Sequence, residues 1–174
     1  QKESLVTQLR EANAALIAHS YTDALTGLPN RRAIFEDLTT LFSLARHLKR
    51  NAINAFIDLD DFKLINDRYG HEAGDQFLIE VGKRLTEEKQ QDDIIGRLGG
   101  DEFLVASLSQ PHQDGDNAQL TLLKTRLSAC IAGEYWLGSV HIIYPGASFG
   151  VIEVDRAATD PDSALRAADV AMYQ

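Results

Sequence analysis

Asp101 and Glu102 follow a Gly99-Gly100 pair, with apolar, β-rich residues on both sides: Ile94-Ile95 before it and Phe103-Leu104-Val105-Ala106 after. Two such runs around Gly-Gly predict a hairpin, because glycine reaches positive φ without a Cβ clash and the turn must twist with its strands. A turn without side chains exposes backbone that phosphate oxygens can approach. The two carboxylates beside it are hard oxygen ligands for a divalent ion. On these residues alone, a surface hairpin with acids in its outgoing strand is the simpler account.

Asp58 changes that balance. It ends an apolar run from Asn51 to Leu59, and the next residues are Asp60 and Asp61. Carboxylates at the end of a buried strand must be solvated, paired or bound to metal, since an unpaired buried charge is costly. If that strand neighbours the hairpin, Asp58 and Asp101 meet at one sheet edge. Magnesium takes such a pair, a carbonyl such as that of Leu59, and phosphate oxygens for the rest of its octahedron. Three carboxylates crowded at about 4 Å would otherwise repel one another by several kcal/mol. Asp60 and Asp61 read as helix caps with a favourable helix-dipole interaction.

Lys63 is either a solvated cation or one that steadies a phosphate chain. Asn66 and Asp75 together could read guanine: a carboxylate accepts from N1–H and the exocyclic amine, and an amide pairs with another edge atom. Adenine reverses that donor pattern, and such mismatches discriminate by roughly 10⁴. His71 is a ligand contact or a solvated loop residue.

The elements that must position these residues follow from periodicity. Residues 1 to 20 place Leu5, Leu9, Ala12, Leu16 and His19 at spacings of four and three. That stripe fits either a coiled-coil seam or an amphipathic helix lying on its own domain. Gly27 and Pro29 break this helix, and Asn30 caps a second one reaching about Lys49, with Ile34, Leu38, Leu41, Phe42, Ala45 and Leu48 on its core face. Residues 51 to 59 read as a central strand covered on both faces. A short helix from about Asp61 to Tyr69 has Asp60 as its cap, and the run Gly70 to Asp75 leads into a longer helix bearing Phe77, Leu78, Val81 and Leu85. After the hairpin come a loop, a helix from about Asn117 to Ala132, strands at Val140 to Tyr144 and Ala147 to Val154, and a last helix carrying Leu165, Ala168 and Met172. Strand, helix, hairpin, helix, strand is the order of a ferredoxin-like or polymerase-palm sheet with flanking helices, an α+β class.

Composition narrows the function. The 174 residues suit one domain plus an appendage, and a 44% hydrophobic content is enough for a core. A formal charge of −9 and a pI near 4.9, without a Lys/Arg cluster, argue against a nucleic-acid partner. The single Cys130 reads as a buried thiol. No apolar run approaches the roughly 18 residues of a spanning helix, so no membrane contact is expected in this segment. A chain that opens on Gln reads as a piece of a longer protein.

The chain resembles a GGDEF domain, the catalytic domain of diguanylate cyclases. The resemblance runs from Asp23 to Gln174. It rests on the run Asp23 to Arg31, on Asp58-Leu59-Asp60-Asp61-Phe62-Lys63-Leu64-Ile65-Asn66-Asp67, on Gly70 to Asp75, on Gly99 to Phe103, and on Ala168 to Tyr173. It implies a connector helix over 1–20 and a catalytic domain over 21–174. The implied reaction condenses two GTP into cyclic di-GMP and two pyrophosphates, across a homodimer driven by an upstream sensor domain in the cytoplasm. By resemblance, Asp58, the Leu59 carbonyl and Asp101 hold Mg2+, two ions per site, with Mn2+ as a substitute. Asn66, His71 and Asp75 contact GTP beside Gly99 and Gly100. Lys63 stabilises charge on the transferring phosphate. Asp101 accepts the proton of the 3′-hydroxyl, with Glu102 beside it and their roles undivided. Many members carry a product-binding Arg-x-x-Asp six residues before the first glycine. Here Gln90 stands for the Arg and Asp93 is kept, so that inhibitory site is degenerate. A catalytically silent GTP-binding or dimerisation module, and another palm-type nucleotidyl cyclase or polymerase, are the competing readings.

Overall fold

In the computed structural model, residues 2–110 and 118–156 are described, together with positions 163 and 166. The helix expected to carry Leu165, Ala168 and Met172 lies outside the described residues.

The sheet is built around β1 (Ala52–Asp58), whose apolar residues alternate between two cores. β3 (Glu102–Leu108) and β6 (Ser148–Val154) flank it, both antiparallel, and β2 (Ile94–Gly99) lies outside β3, giving the order β2-β3-β1-β6. Counted along the chain as one to four, these strands lie two-three-one-four, the antiparallel split βαβ arrangement expected from the sequence. On one face Ala52, Phe56, Leu104, Ala106 and Val154 meet α2 (Arg31–Leu48) through Ile34, Leu38, Leu41 and Phe42. On the other, Ile53, Ala55, Ile57, Phe103 and Val105 meet α4 (His71–Glu88) and α5 (Ala118–Ile131), through Phe77, Leu78, Val81, Leu85, Leu123, Leu127 and Ile131.

α1 (Lys2–Tyr21) precedes α2, and a tight link joins them. The Asn30 side chain accepts the Ala33 N–H at 3.0 Å and donates to the Ser20 carbonyl at 3.0 Å, so one residue caps α2 and ties it to the end of α1. Tyr21 donates to Glu36 at 3.1 Å and lies under the Arg32 guanidinium. The expected core stripe of α2 is buried except for Leu48, which faces out where left-handed Lys49 ends the helix.

The long helix starts at His71, not after Asp75, because Gly70 at φ 96° turns the chain directly from α3 (Phe62–Tyr69) into α4. Asp60 does not cap α3. The residue at that position is Asp61, in the left-handed region at φ 60° and without a side-chain cap bond. A hairpin of β4 (Gly133–Leu137) and β5 (Val140–Tyr144) forms its own two-stranded sheet, so β5 is not part of the main sheet and β4 was not anticipated. The signal was an alternation: Tyr135 and Leu137 are buried while Glu134 and Trp136 are exposed. Tyr135 and Tyr144 pack edge-on against Phe77, with ring centroids 4.7 Å away in each case.

Candidate active site

Register brings the acidic residues together. Asp58, the last residue of β1, is paired with Glu102 on one side and Ser148 on the other, and the Leu59 N–H donates to the Asp101 carbonyl at 3.1 Å. The Asp58 carboxyl shares a hydrogen bond with Asp101. Burial, then the Asp101 charge, push its pKa up to about 6, with Glu102 and Asp60 adding to the effect. Among the described residues no three His, Cys, Asp or Glu side chains converge as a metal-binding group. The expected crowd of three carboxylates is therefore a touching pair, Asp58 and Asp101, with Glu102 alongside. A pair of carboxyls that repel each other, with the Glu102 and Asp60 charges adding to the repulsion, fits a divalent cation, and its all-oxygen donor set fits magnesium, which completes its shell with water and phosphate oxygens. The Leu59 carbonyl already accepts a long bond from the Phe62 N–H at 3.4 Å, which leaves one lone pair for a ligand.

The turn that presents Asp101 is braced from below. Gly99 and Gly100 have φ of 147° and 49°, and the strand register slips between Arg97 and Gly99, a bulge that re-aims the tip. Arg97 spans this irregularity. Its Nε and Nη2 donate to the Gly100 carbonyl at 3.0 and 2.8 Å, and its Nη1 donates to both Asp23 oxygens at 3.1 and 3.0 Å. Asp23 also accepts from the Thr26 hydroxyl at 2.7 Å and amide at 2.9 Å. Burial raises the Asp23 pKa, but the Thr26 and Arg97 bonds outweigh it and hold the carboxyl below its ordinary value. Gly96 makes the close approach possible. A Cβ there would lie 2.2 Å from Ile34 and 2.8 Å from the Pro29 carbonyl.

The remaining predicted residues sit on the helices after β1. Lys63 is exposed in the first turn of α3. Asn66 lies against the start of α4, for a Cβ on Gly74 would sit 1.8 Å from its Oδ1. Glycine at 74 is what lets this amide rest beside the turn carrying Asp75. His71 and Asp75, four residues apart, share one exposed face of α4. The structure thus groups Asp58, Leu59, Asp101 and Glu102 beside Gly99 and Gly100, and groups Asn66 with the α4 turn bearing His71 and Asp75.

Gln90 and Asp93 lie elsewhere, at the open end of the hairpin. Asp93 is buried, accepts the Gln90 N–H at 3.0 Å and faces Arg126 of α5 at 3.9 Å. Burial raises its pKa, and the Gln90 amide and Arg126 oppose that rise. A cleft of about 260 Å3 beside it is lined by Arg50, Gln90, Gln119 and Arg126 among others.

Sequence reasoning missed the Arg97–Asp23 brace, Arg126 facing Asp93, and the contacts of Tyr144 and Ser148 with Asp60. The Tyr144 hydroxyl donates to the Asp60 carbonyl at 2.7 Å and the Ser148 hydroxyl to its Oδ1 at 2.7 Å. The first had a local signal in the Asp23-x-x-Thr26 spacing, which suits a side chain bonding back to a turn. The others join residues far apart in the chain and leave no local pattern.

The sequence model of the family described as "Diguanylate cyclase, GGDEF domain" matches residues 20–174, so the chain belongs to the GGDEF family. Diguanylate cyclase DgcP of Escherichia coli (strain K12) is 66% identical over 174 residues, covering 100% of this chain and 50% of that protein. Cyclic di-GMP phosphodiesterase PdeR of the same organism is 34% identical over 97% of this chain and 24% of its own length. The chain thus spans about half or less of the length of these relatives, one named a cyclase and the other a phosphodiesterase. A crystal structure of a sensory box/GGDEF family protein from Caulobacter crescentus CB15 superposes with a TM-score of 0.79 at 31% identity, covering 88% of this chain and 96% of that one.

Proposed function

We propose that this domain is a diguanylate cyclase that condenses two GTP into cyclic di-GMP and two pyrophosphates. The observation that carries the reading is the Asp58–Asp101 contact at a bare Gly99-Gly100 turn, two carboxylates that need an outside cation where phosphates can approach. Asp58, the Leu59 carbonyl and Asp101 would hold magnesium, two ions per site, with manganese able to replace it. When bound, the metal lowers the pKa of the attacking 3′-hydroxyl and offsets charge at the α-phosphate. Asp101, with Glu102 beside it, takes the hydroxyl proton. Lys63 neutralises charge on the transferring phosphate, and Gly99 and Gly100 admit the phosphate chain. Asn66 and Asp75 read the guanine edge, with His71 as a further nucleotide contact. Each in-line attack forms one 3′-oxygen–phosphorus bond and releases one pyrophosphate.

One domain offers one nucleotide site, so two copies must face each other. In α1, Leu5, Leu9 and Leu16 are 61%, 69% and 65% exposed, a stripe that pairing of two α1 helices would cover. We take α1 as the connector through which an upstream sensor aligns a homodimer, and residues 21–174 as the catalytic unit. No helix among the described residues is long and apolar enough to cross a membrane. The reading places the reaction in the cytoplasm, where GTP is found.

The product brake is degenerate in this reading. Arg97 is committed to Asp23 and Gly100, and Gln90 offers a neutral amide where a guanidinium would grip phosphate and guanine together. Added cyclic di-GMP should leave initial rates nearly unchanged, and Gln90→Arg should gain inhibition.

Incubating the dimer with GTP, ATP and magnesium and identifying products tests the whole reading. Cyclic di-GMP from GTP alone supports it. GTP binding without turnover would make the domain a silent module, and an ATP product would make it another palm-type enzyme.

A further inference from the structure

We propose that Tyr144 is a positioning residue for the metal-holding end of the site, acting through the backbone that carries the Leu59 carbonyl. The inference rests on the cyclase reading for what that end does, and on geometry for how it is held.

Residues 59 to 61 join β1 to α3 without strand pairing, yet they must set both the Leu59 carbonyl and the direction in which α3 carries Lys63 and Asn66. The link is not relaxed, since Asp61 is a non-glycine residue at φ 60°. Bonds on either side of one peptide group hold it. The Leu59 N–H is bonded to the Asp101 carbonyl, and the Asp60 carbonyl accepts the Tyr144 hydroxyl. Between them lies the 59–60 peptide, which carries the Leu59 carbonyl and whose two flanking peptide groups are thus each held in place by a bond. Ser148 adds a third tie through the Asp60 carboxylate, and the Leu59 side chain is buried in the core.

Tyr144 comes from the other sheet. Its ring is packed with Phe77 of α4 and Tyr135 of β4, a job that phenylalanine would do equally well. A hydroxyl in such surroundings is unfavourable unless bonded, and its bond goes to the Asp60 carbonyl. The ring therefore serves the fold, and the hydroxyl fixes the link.

Tyr144→Phe in the full dimeric protein separates the two roles. Losing one hydrogen bond that holds a ligand in place should raise the half-saturating magnesium concentration about fivefold to tenfold. At saturating magnesium, kcat and the KM for GTP should return to within about twofold of the parent. Manganese binding, followed by electron paramagnetic resonance with a non-reacting GTP analogue, should weaken in parallel, and the melting temperature in EDTA should change little. Ser148→Ala should show the same pattern at smaller size, which keeps the test available if Tyr144→Phe folds poorly. An unchanged metal dependence in folded Tyr144→Phe, or a lower melting temperature as its only effect, would overturn the proposal. Absence of cyclic di-GMP synthesis by the parent would sink the cyclase reading instead, while the manganese comparison would still decide the role of Tyr144. A parent protein that binds no manganese would overturn both.

Discussion

Asp93 and Asp58 stand at opposite ends of the same β-structure. Both are carboxyls whose pKa is raised chiefly by burial, but their surroundings differ in sign. Asp93, at the open end of the β2–β3 hairpin, has the Gln90 amide and the Arg126 guanidinium as partners within the chain. Asp58, at the closed end, lies under the charges of Asp101, Glu102 and Asp60, which all raise its pKa. One acid is satisfied by its own fold and the other waits for a cation. A chain that neutralises its buried Asp93 and leaves the half-buried Asp58 against its own kind shows where an outside partner belongs.

The largest effect that could break this contrast lies at the closed end. Asp101→Asn should lower cyclic di-GMP synthesis by on the order of 10³ or more while the melting temperature holds, because the lost group serves metal and proton rather than packing. A folded variant with near-parental turnover would remove Asp101 from the site. Asp75→Ala comes next. Its carboxylate is exposed, so GTP affinity measured by calorimetry should fall roughly ten- to a hundredfold, with stability changed by less than about 0.5 kcal/mol. At the open end the pattern should invert. Asp93→Ala strands the Gln90 N–H and the Arg126 charge, and should cost about 1 to 2 kcal/mol in denaturant unfolding while turnover by the folded fraction persists.

The smallest effect carries the sign of the argument. A folded-state pKa raised to about 6 means that the native protein holds the Asp58 proton more tightly than the unfolded chain does. Metal-free stability from this group is full below the ordinary carboxylate value and falls as pH rises toward 6. Above that, Asp58→Asn should stabilise the metal-free protein, by about 1 kcal/mol after allowance for solvent screening, while abolishing synthesis. Thermal melts in EDTA at pH 5 and pH 8 check this, and a variant less stable than the parent at pH 8 would contradict it.

Much of this was legible before any coordinates. The β1 run, the Gly99-Gly100 hairpin and the acidic positions follow from periods of two, from glycine at a turn, and from charge at the end of a buried strand. Asn30 as a cap and the core stripe of α2 were equally local signals. What escaped was set by tertiary contact. The Arg97–Asp23 pair spans 74 positions and the Tyr144–Asp60 bond 84, and neither leaves a periodic trace. Asp60 misled for the same reason: beside a helix start it reads as a cap, but its carboxylate is taken by Ser148 from β6. The β4–β5 hairpin was overlooked because short strands of five residues offer few alternations, and Gly138 between them was the stronger cue.

The central claim is that Asp58 and Asp101 confront each other until a divalent cation relieves them. It is tested most directly by following the Asp58 carboxyl through a pH titration by carbon-13 NMR, without metal and then with magnesium and a non-reacting GTP analogue. The expected midpoint is near 6 without metal, and it should fall by more than about one unit when magnesium and nucleotide are present. An Asp58 that titrates at the ordinary carboxylate value in metal-free protein, or whose midpoint ignores magnesium, would contradict it.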